Sequence, residues 1–298
     1  MPDAPDHLVF DRALIDRRRL RRLTSGELGR TGFLLEAVAD DLADRLSLVE
    51  RHFAVAVDLG GHTGAMAERL RRSGQTGLVV RVERLPGLLR GEDLAVVADE
   101  EALPLADDSV DLIVSTLSLQ LVNDTPGVLV QIRRALKPDG LFLCAFLGGE
   151  TLNELRAALF AAEAELYGGI SPRVAPFADI RDAGALLQRA GFALPVTDTD
   201  RTIVRYDNLF ALMADIRSMG MANMLVQRST RPVSRRLFLR AAEIYAERYA
   251  DPDGRIRATF DVISMSGWKP HESQQKPLRP GSARASLADA LKDRSGEF

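Results

Sequence analysis

The chain has 298 residues, a formal net charge of −3, 46% hydrophobic and 27% charged residues, which suits one large soluble α/β domain with insertions, or two small domains. A balance this near neutral creates no global field for nucleic acid or an anionic membrane surface. The single cysteine, Cys144, excludes an internal disulfide and a cysteine-based zinc site, and the four histidines (His7, His52, His62, His271) lack metal-ligand spacing, so no metal is expected.

At the N-terminus no apolar core of a signal peptide is present, and Asp3, Asp6, Asp11 and Asp16 depart from the acid-poor make-up of a transit peptide. No apolar stretch reaches the roughly 18 residues of a membrane span. A cytoplasmic, reducing compartment is therefore expected. Residues 6–50 alternate basic and apolar groups, with Leu34, Leu35, Val38, Leu42 and Leu46 at helical spacing. This predicts two helices broken near Thr24-Ser25-Gly26, the second over 28–49. Such a helix either covers one edge of a sheet or forms a lid that contacts substrate.

From 53 to 147 strands and helices alternate: strands at 54–58, 77–83, 94–98, 110–115 and 140–147, helices at 64–73, 86–90 and 125–136. The strands are short and rich in Val, Leu and Ile on both faces, as in a parallel sheet covered on both sides by helices. Leu136-Lys137-Pro138-Asp139-Gly140 reads as a helix stop and a turn into the next strand. A helix follows over 150–167, with Thr151 and Glu154 at the spacing of a capping box. After a Gly/Ser/Pro loop at 168–176 come a helix at 179–190, closed by Gly191, and a strand or bent hairpin strand at 194–206. Residues 207–250 read as helical with a polar break near 227–233 and a new helix from Ser234, and 257–268 have strand character. The tail from Lys269 is rich in Pro, Gly, Ser and charge and reads as extended or mobile.

The stretch AVAVDLGGHTGAMAERL joins a strand ending in Asp58 to a helix through Gly60, Gly61 and Gly64. A strand, an acid and a glycine turn before a helix make a nucleotide-binding unit, because glycine permits positive φ and close approach of a ligand to the backbone. Glu83, 19 residues after Gly64, ends the next strand, where a carboxylate grips ribose hydroxyls. Asp99-Glu100-Glu101 follows the third strand, placed to accept from an adenine amino group. A phosphate site is disfavoured: neither Gly-Lys-Ser/Thr nor Gly-x-Gly-x-x-Gly occurs. The acids suit a cationic or neutral adenosine better than a pyrophosphate.

In order and spacing, DLGGHTG, VVRVERLPGLL, VVADEEALPLADDSVDLIVSTLSLQLVND and IRRALKPDGLFLCAF resemble the type-11 class I S-adenosylmethionine-dependent methyltransferases. FDR near the start, GGETLNELR, GGISPRVAPFADIRDAGALLQRAGFALPVTDTD, ALMADIRSMG and GWKPHESQ are similar to the family of mitochondrial complex I assembly factor 5 and its bacterial relatives. A more distant similarity is to malonyl-acyl-carrier-protein methyltransferases. The resemblance spans about Phe10 to Leu287. It implies a Rossmann-like α/β fold with a mostly parallel seven-stranded sheet, the last strand antiparallel and inserted beside the fifth. It implies S-adenosylmethionine as cofactor, with Asp58, Gly60, Gly61 and Gly64 on the cofactor loop, Glu83 as the ribose acid, and Asp99 and Glu100 at the adenine side. Ser115 to Leu117 fall where the methionine moiety lies. It divides the chain into a helical extension at 1–50, a core at 51–206 and 255–270, a helical lid insertion at 207–254 and a mobile tail at 271–298.

The implied activity is open in type. Most relatives transfer a methyl group to a protein or acyl-carrier substrate, whereas the complex I assembly factor is a protein arginine hydroxylase acting on a complex I subunit; a non-catalytic assembly factor with an eroded cofactor site is a further alternative. No catalytic residue is nominated. Three departures bear on cofactor affinity: His62 replaces the loop's second glycine, Glu83 replaces the commoner Asp, and Gln120-Leu121 replaces an aromatic or His. The His62 side chain must turn outward or fill the space, and it meets His271 only if the tail folds over the site. Tyr167, Tyr206, Met213, Met219, Met221 and Met224 either line an acceptor pocket or pack between helices.

Overall fold

Short runs of Val, Ile, Leu and Phe bury both faces of the central strands, and that requirement sets the architecture. The computed structural model describes residues 8–24, 32–230 and 232–275. Its strands are β1 (Phe53–Leu59), β2 (Thr76–Glu83), β3 (Ala95–Val97), β4 (Val110–Thr116), β5 (Leu136–Gly148), β6 (Ala193–Tyr206) and β7 (Ile256–Trp268). They form one seven-stranded sheet in the order β3-β2-β1-β4-β5-β7-β6. β1 to β5 run parallel; β7 is antiparallel to both β5 and β6. This is the Rossmann-like class I methyltransferase arrangement expected from the sequence.

Helices cover both faces. On one side α2 (Phe33–Ser47), α3 (Ala65–Arg72), α5 (Asn153–Tyr167) and α8 (Arg235–Tyr249) pack against Phe53, Leu112, Val114, Leu141 and Leu143. On the other, α4 (Thr125–Ala135) and α6 (Ile180–Arg189) pack against Val57, Ile113, Phe142 and Cys144. Leu34, Val38, Leu42 and Leu46 make one apolar stripe on α2, which lies on a face of the sheet rather than along its edge. α1 (Arg12–Thr24) has a different fate, described with the site. The predicted break near Thr24-Ser25-Gly26 falls largely outside the described residues, as do His7 and residues 276–298.

Two local readings are corrected. The turn expected at Leu136–Gly140 is absorbed into β5: α4 passes directly into the strand, Asp139 takes φ 63°, and the pairing with β4 skips from Val110↔Leu136 to Leu112↔Leu141. The extra residues form a bulge rather than a connection. Thr151 and Glu154 do not cap α5. The Thr151 hydroxyl donates to Gly148 O at 2.7 Å and accepts from Asp261 N at 3.0 Å, while the buried Glu154 carboxylate accepts from Thr259 N at 3.2 Å. Both tie α5 to β7. Side-chain caps occur elsewhere, from Asp124, Asp179, Asn208 and Ser234.

The segment between β6 and β7 holds α7 (Leu209–Ser218) and α8. α8 belongs to the main core through Leu237, Ala241, Ile244 and Tyr245, whose hydroxyl donates to Arg257 O at 2.8 Å. The start of the tail is ordered: Lys269 N donates to Gly140 O at 2.8 Å and Gln274 Nε2 to Asp139 Oδ1 at 2.8 Å. Because Leu42 is fully buried between α2 and the sheet, Leu42→Ala is expected to cost about 2–5 kcal/mol, read as a lowered urea midpoint at unchanged slope.

Candidate functional site

The loop after β1 is built on left-handed backbone. Gly60 and Gly64 have φ 65° and 87°, and Gly64 opens α3. Gly60 N donates to Val82 O at 2.8 Å, which locks the loop to the end of β2. A side chain at Gly61 would fall on the carboxylate of Asp58, which fills the space beneath the loop. Both Asp58 oxygens are buried without a hydrogen-bond partner, and Arg81 Nε stands 3.5 Å away. Burial pushes the Asp58 carboxyl up to about 7, against the pull of Arg81.

Glu83 reaches the loop at His62, and Glu100 lies against Gly60. Glu83 is 1% exposed and accepts from the backbone N–H of His62 and of Arg84, each at 3.1 Å. Burial raises its pKa while Arg19 and those two N–H groups oppose. Glu100 is 2% exposed, accepts from the Ser118 hydroxyl at 3.1 Å and pairs with Arg12. A Cβ at Gly60 would lie on the Ser118 side chain and 3.2 Å from Glu100 Oε1. The structure thus gathers Gly60, Glu83, Glu100 and Ser118 where β1 to β4 end. Asp99 lies at the rim, bonded to Arg12 and capping Glu101 N at 2.8 Å. Ser115 sits further back at the end of β4, in register with Cys144, its hydroxyl buried and unpartnered.

α1 lies over these acids. Arg12 bonds Asp99, Glu100 and Glu101, and Asp16 pairs with Arg84 at 2.7 Å. The buried Arg19 faces the same group, its positive form favoured by Glu83, Glu100 and Asp16 and opposed by burial. Arg12, Ile15, Asp16 and Arg19 share one helix face by their i, i+3, i+4, i+7 spacing. That spacing was the available signal. Arg19 and Ser118 do not stand out in the sequence, because charges on a docking face carry no hydrophobic periodicity and a lone serine after a strand belongs to no motif.

His62 fills its space. It takes φ 53°, the conformation a glycine would supply, and its Nε2 lies 3.0 Å from Leu117 O. A carbonyl only accepts, so Nε2 carries the proton and donates it there. Leu117 is itself left-handed, φ 51°, and its carbonyl also accepts from Gln120 Nε2 at 2.8 Å. Two non-glycine residues in this region cost on the order of 1–3 kcal/mol each and are held by this cross-link. Burial, then Arg19 and Arg81, push the imidazole down to about 3, with the Leu117 bond opposing, so the ring is neutral at physiological pH. His271 does not meet it: it bonds Ser273, next to Gln274 on Asp139, at the opposite end of β5.

A cavity beside the loop is lined by Arg19, His62, Thr63, Leu88, Leu117 and Met219. Two adjoining grooves sharing Val9, Pro176 and Phe177 run past the ends of β4 and β5. Most of the aromatic and Met candidates pack instead: Met224 is buried with Phe10, Ile15 and Leu121, Tyr206 donates to Asp215 at 2.8 Å, and the exposed Tyr167 meets Ser234.

The family described as "Methyltransferase domain" matches residues 57–144. The arginine-hydroxylase NDUFAF5, mitochondrial, of Danio rerio is 39% identical over 302 residues, covering 95% of this chain and 90% of that protein. The chain belongs to the NDUFAF5 family. The human member is also 39% identical, over 94% of this chain and 83% of its own length. A malonyl-[acyl-carrier protein] O-methyltransferase of Laribacter hongkongensis is 33% identical over 85% of this chain and 88% of that protein. Among solved structures, the YcgJ protein of Bacillus subtilis matches with a TM-score of 0.56 at 14% identity, over 78% of this chain and 99% of that one, which supports the fold. In this family member the loop histidine has a stability consequence. Its folded pKa of about 3 lies below the ordinary 6.5, so the unfolded chain binds the extra proton and stability falls as pH drops from 6.5 toward 3. His62→Gly is expected to lose less stability than wild type across that window, checked by denaturation midpoints at neutral pH and near the acid end.

Proposed function

We propose that this chain is an S-adenosylmethionine-dependent enzyme of the methyltransferase fold that modifies a protein or acyl-carrier substrate, with the cofactor held where β1, β2 and β4 end. The observation that carries this reading is the convergence of the left-handed Gly60 with the buried carboxylates Glu83 and Glu100. These residues suit the cofactor. Glu83 uses two backbone N–H donors, and a carboxylate offers about four acceptor sites, so capacity remains for ribose hydroxyls. Asp99 and Glu100 offer acceptors on the adenine side. Gly60 and Gly61 leave the backbone bare, and Asp58 and Ser115 hold buried oxygens without partners.

Bound there, the cofactor supplies a methyl group on a positively charged sulfur. The chain's own contribution is positioning. It orients donor and acceptor in line and excludes water, and such a displacement needs no dedicated base. α1 covers Glu83 and Glu100, so entry requires Arg12 to release Glu100. The acceptor approaches along the apolar grooves by Val9 and Phe177. Kinship supports a protein acceptor, and the resemblance described above points to a subunit of respiratory complex I.

A second reading, hydroxylation of an arginine, is favoured by near full-length similarity to proteins named arginine-hydroxylases. Mass spectrometry of a modified candidate substrate separates the two, since methylation adds one carbon and two hydrogens and hydroxylation adds one oxygen. The cofactor reading is tested by calorimetric titration with S-adenosylmethionine. Glu83→Ala is expected to weaken binding roughly 10- to 100-fold, the worth of hydrogen bonds to a charged group, and Gly60→Ala to abolish it. Absence of binding by folded wild-type protein sinks the reading.

A further inference from the structure

Arg12 and Arg19 occupy equivalent places on one face of α1, two turns apart, yet differ in what they touch. Arg12 is saturated by Asp99, Glu100 and Glu101. Arg19 is only 7% exposed and makes no hydrogen bond or ion pair among the described residues. It lines the cavity with His62, Thr63, Leu88 and Leu117. A buried guanidinium carries five N–H donors in a planar fork and does not shed its proton. None of the Arg19 nitrogens is among the fully buried atoms that lack a partner, so the fork opens onto this cavity, and its geometry fits a carboxylate.

Resting on the cofactor reading above, we propose that Arg19 anchors the carboxylate at the amino-acid end of S-adenosylmethionine. The surroundings decide the class of anion. Glu83, Glu100 and Asp16 favour the charge on Arg19 and Arg84 opposes it; with Asp99 and Glu101 also held by Arg12, this face carries more acids than arginines, and a phosphate with its two charges adds to that excess. An amino-acid end, whose ammonium balances its carboxylate, adds no net charge there. Position agrees: Glu83, beside Arg19, takes the ribose, and His62 and Leu117 occupy the loop and strand end to which the resemblance assigns the methionine portion. Burial lowers the Arg19 pKa from its ordinary value, so an arriving carboxylate meets a poorly solvated cation.

The test is calorimetric titration of the full chain with three probes: S-adenosylhomocysteine, its decarboxylated analogue, and 5′-methylthioadenosine, which lacks the amino-acid end. Wild type is expected to prefer S-adenosylhomocysteine over the decarboxylated analogue by about 10- to 100-fold. Arg19→Gln is expected to erase that preference while leaving 5′-methylthioadenosine affinity within about twofold, and Arg19→Lys to keep part of it. With 5′-methylthioadenosine binding intact, equal loss for S-adenosylhomocysteine and the decarboxylated analogue, or no loss for either, overturns the assignment while the cofactor site stands. Should Arg19→Gln also lose 5′-methylthioadenosine, Arg19→Lys decides: a preference for S-adenosylhomocysteine smaller than wild type supports the anchor, and one equal to wild type overturns it. If wild type binds none of the three, the cofactor reading fails, and this assignment with it.

Discussion

Three carboxylates, Asp58, Glu83 and Glu100, are sunk into the tip of the sheet where β1, β2 and β3 end, and the surrounding structure is arranged to tolerate them. Taking a carboxylate out of water costs several kcal/mol after relaxation, so each needs its own compensation. Asp58 has Arg81 at 3.5 Å and a pKa raised to about 7. Glu83 draws on the backbone N–H of His62, in the left-handed loop, and on that of Arg84, the next residue in the chain. Glu100 takes the Ser118 hydroxyl and the Arg12 guanidinium. The glycine loop, the end of β4 and the N-terminal helix are coupled through these charges.

This coupling gives α1 and α2 opposite characters. α2 is fixed by Leu34, Val38, Leu42 and Leu46 in the main core, an attachment that scales with apolar area. α1 contributes Ile15 to a small cluster with Phe10, Leu121, Met224 and Leu225 and otherwise holds on by arginines. Its polar contacts are exchangeable: a donor arriving at Glu100 or Asp99 competes with Arg12 for the acceptors that α1 now uses. α1 contributes no residue to the main core and lies over Asp99 and Glu100, so its opening costs less apolar burial than that of α2.

Strand identity was legible because burial on both faces forces continuous apolar runs, as in Val79-Val80 and Leu112-Ile113-Val114. The antiparallel last strand came from the resemblance rather than from pattern. What stayed hidden depends on partners distant in sequence. Asp139 and Gly140 are turn residues by local preference, but β4 can accommodate the surplus as a bulge, and the strand begins at Leu136. Thr151 and Glu154 have cap spacing, yet Asp261 and Thr259 on β7 are buried donors that outcompete the helix's own N–H groups. Within the site, the glycines and Glu83 were readable from spacing; the arginines that face the acids were not, because only the fold brings residues 12 and 19 to residues 83 and 100.

His62 stands where a glycine would expose bare backbone, and its effect is confined. Its amide still serves Glu83 as a glycine's would, so the sugar side of the loop keeps its donor. Its ring, neutral and donating to Leu117 O, consumes a carbonyl at the end of β4 and closes the space beside it. With that carbonyl shared between the imidazole and Gln120, an ammonium arriving there finds its acceptor already engaged. The charge of an amino-acid end must then be recognised chiefly through its other half. A guanidinium on the facing wall, without a hydrogen bond among the described residues, meets that constraint, and α1 supplies it at Arg19. Under the proposed assignment, the substitution in the loop and the arginine on the helix are two halves of one arrangement, in which recognition shifts from the backbone of the glycine turn to a side chain of α1.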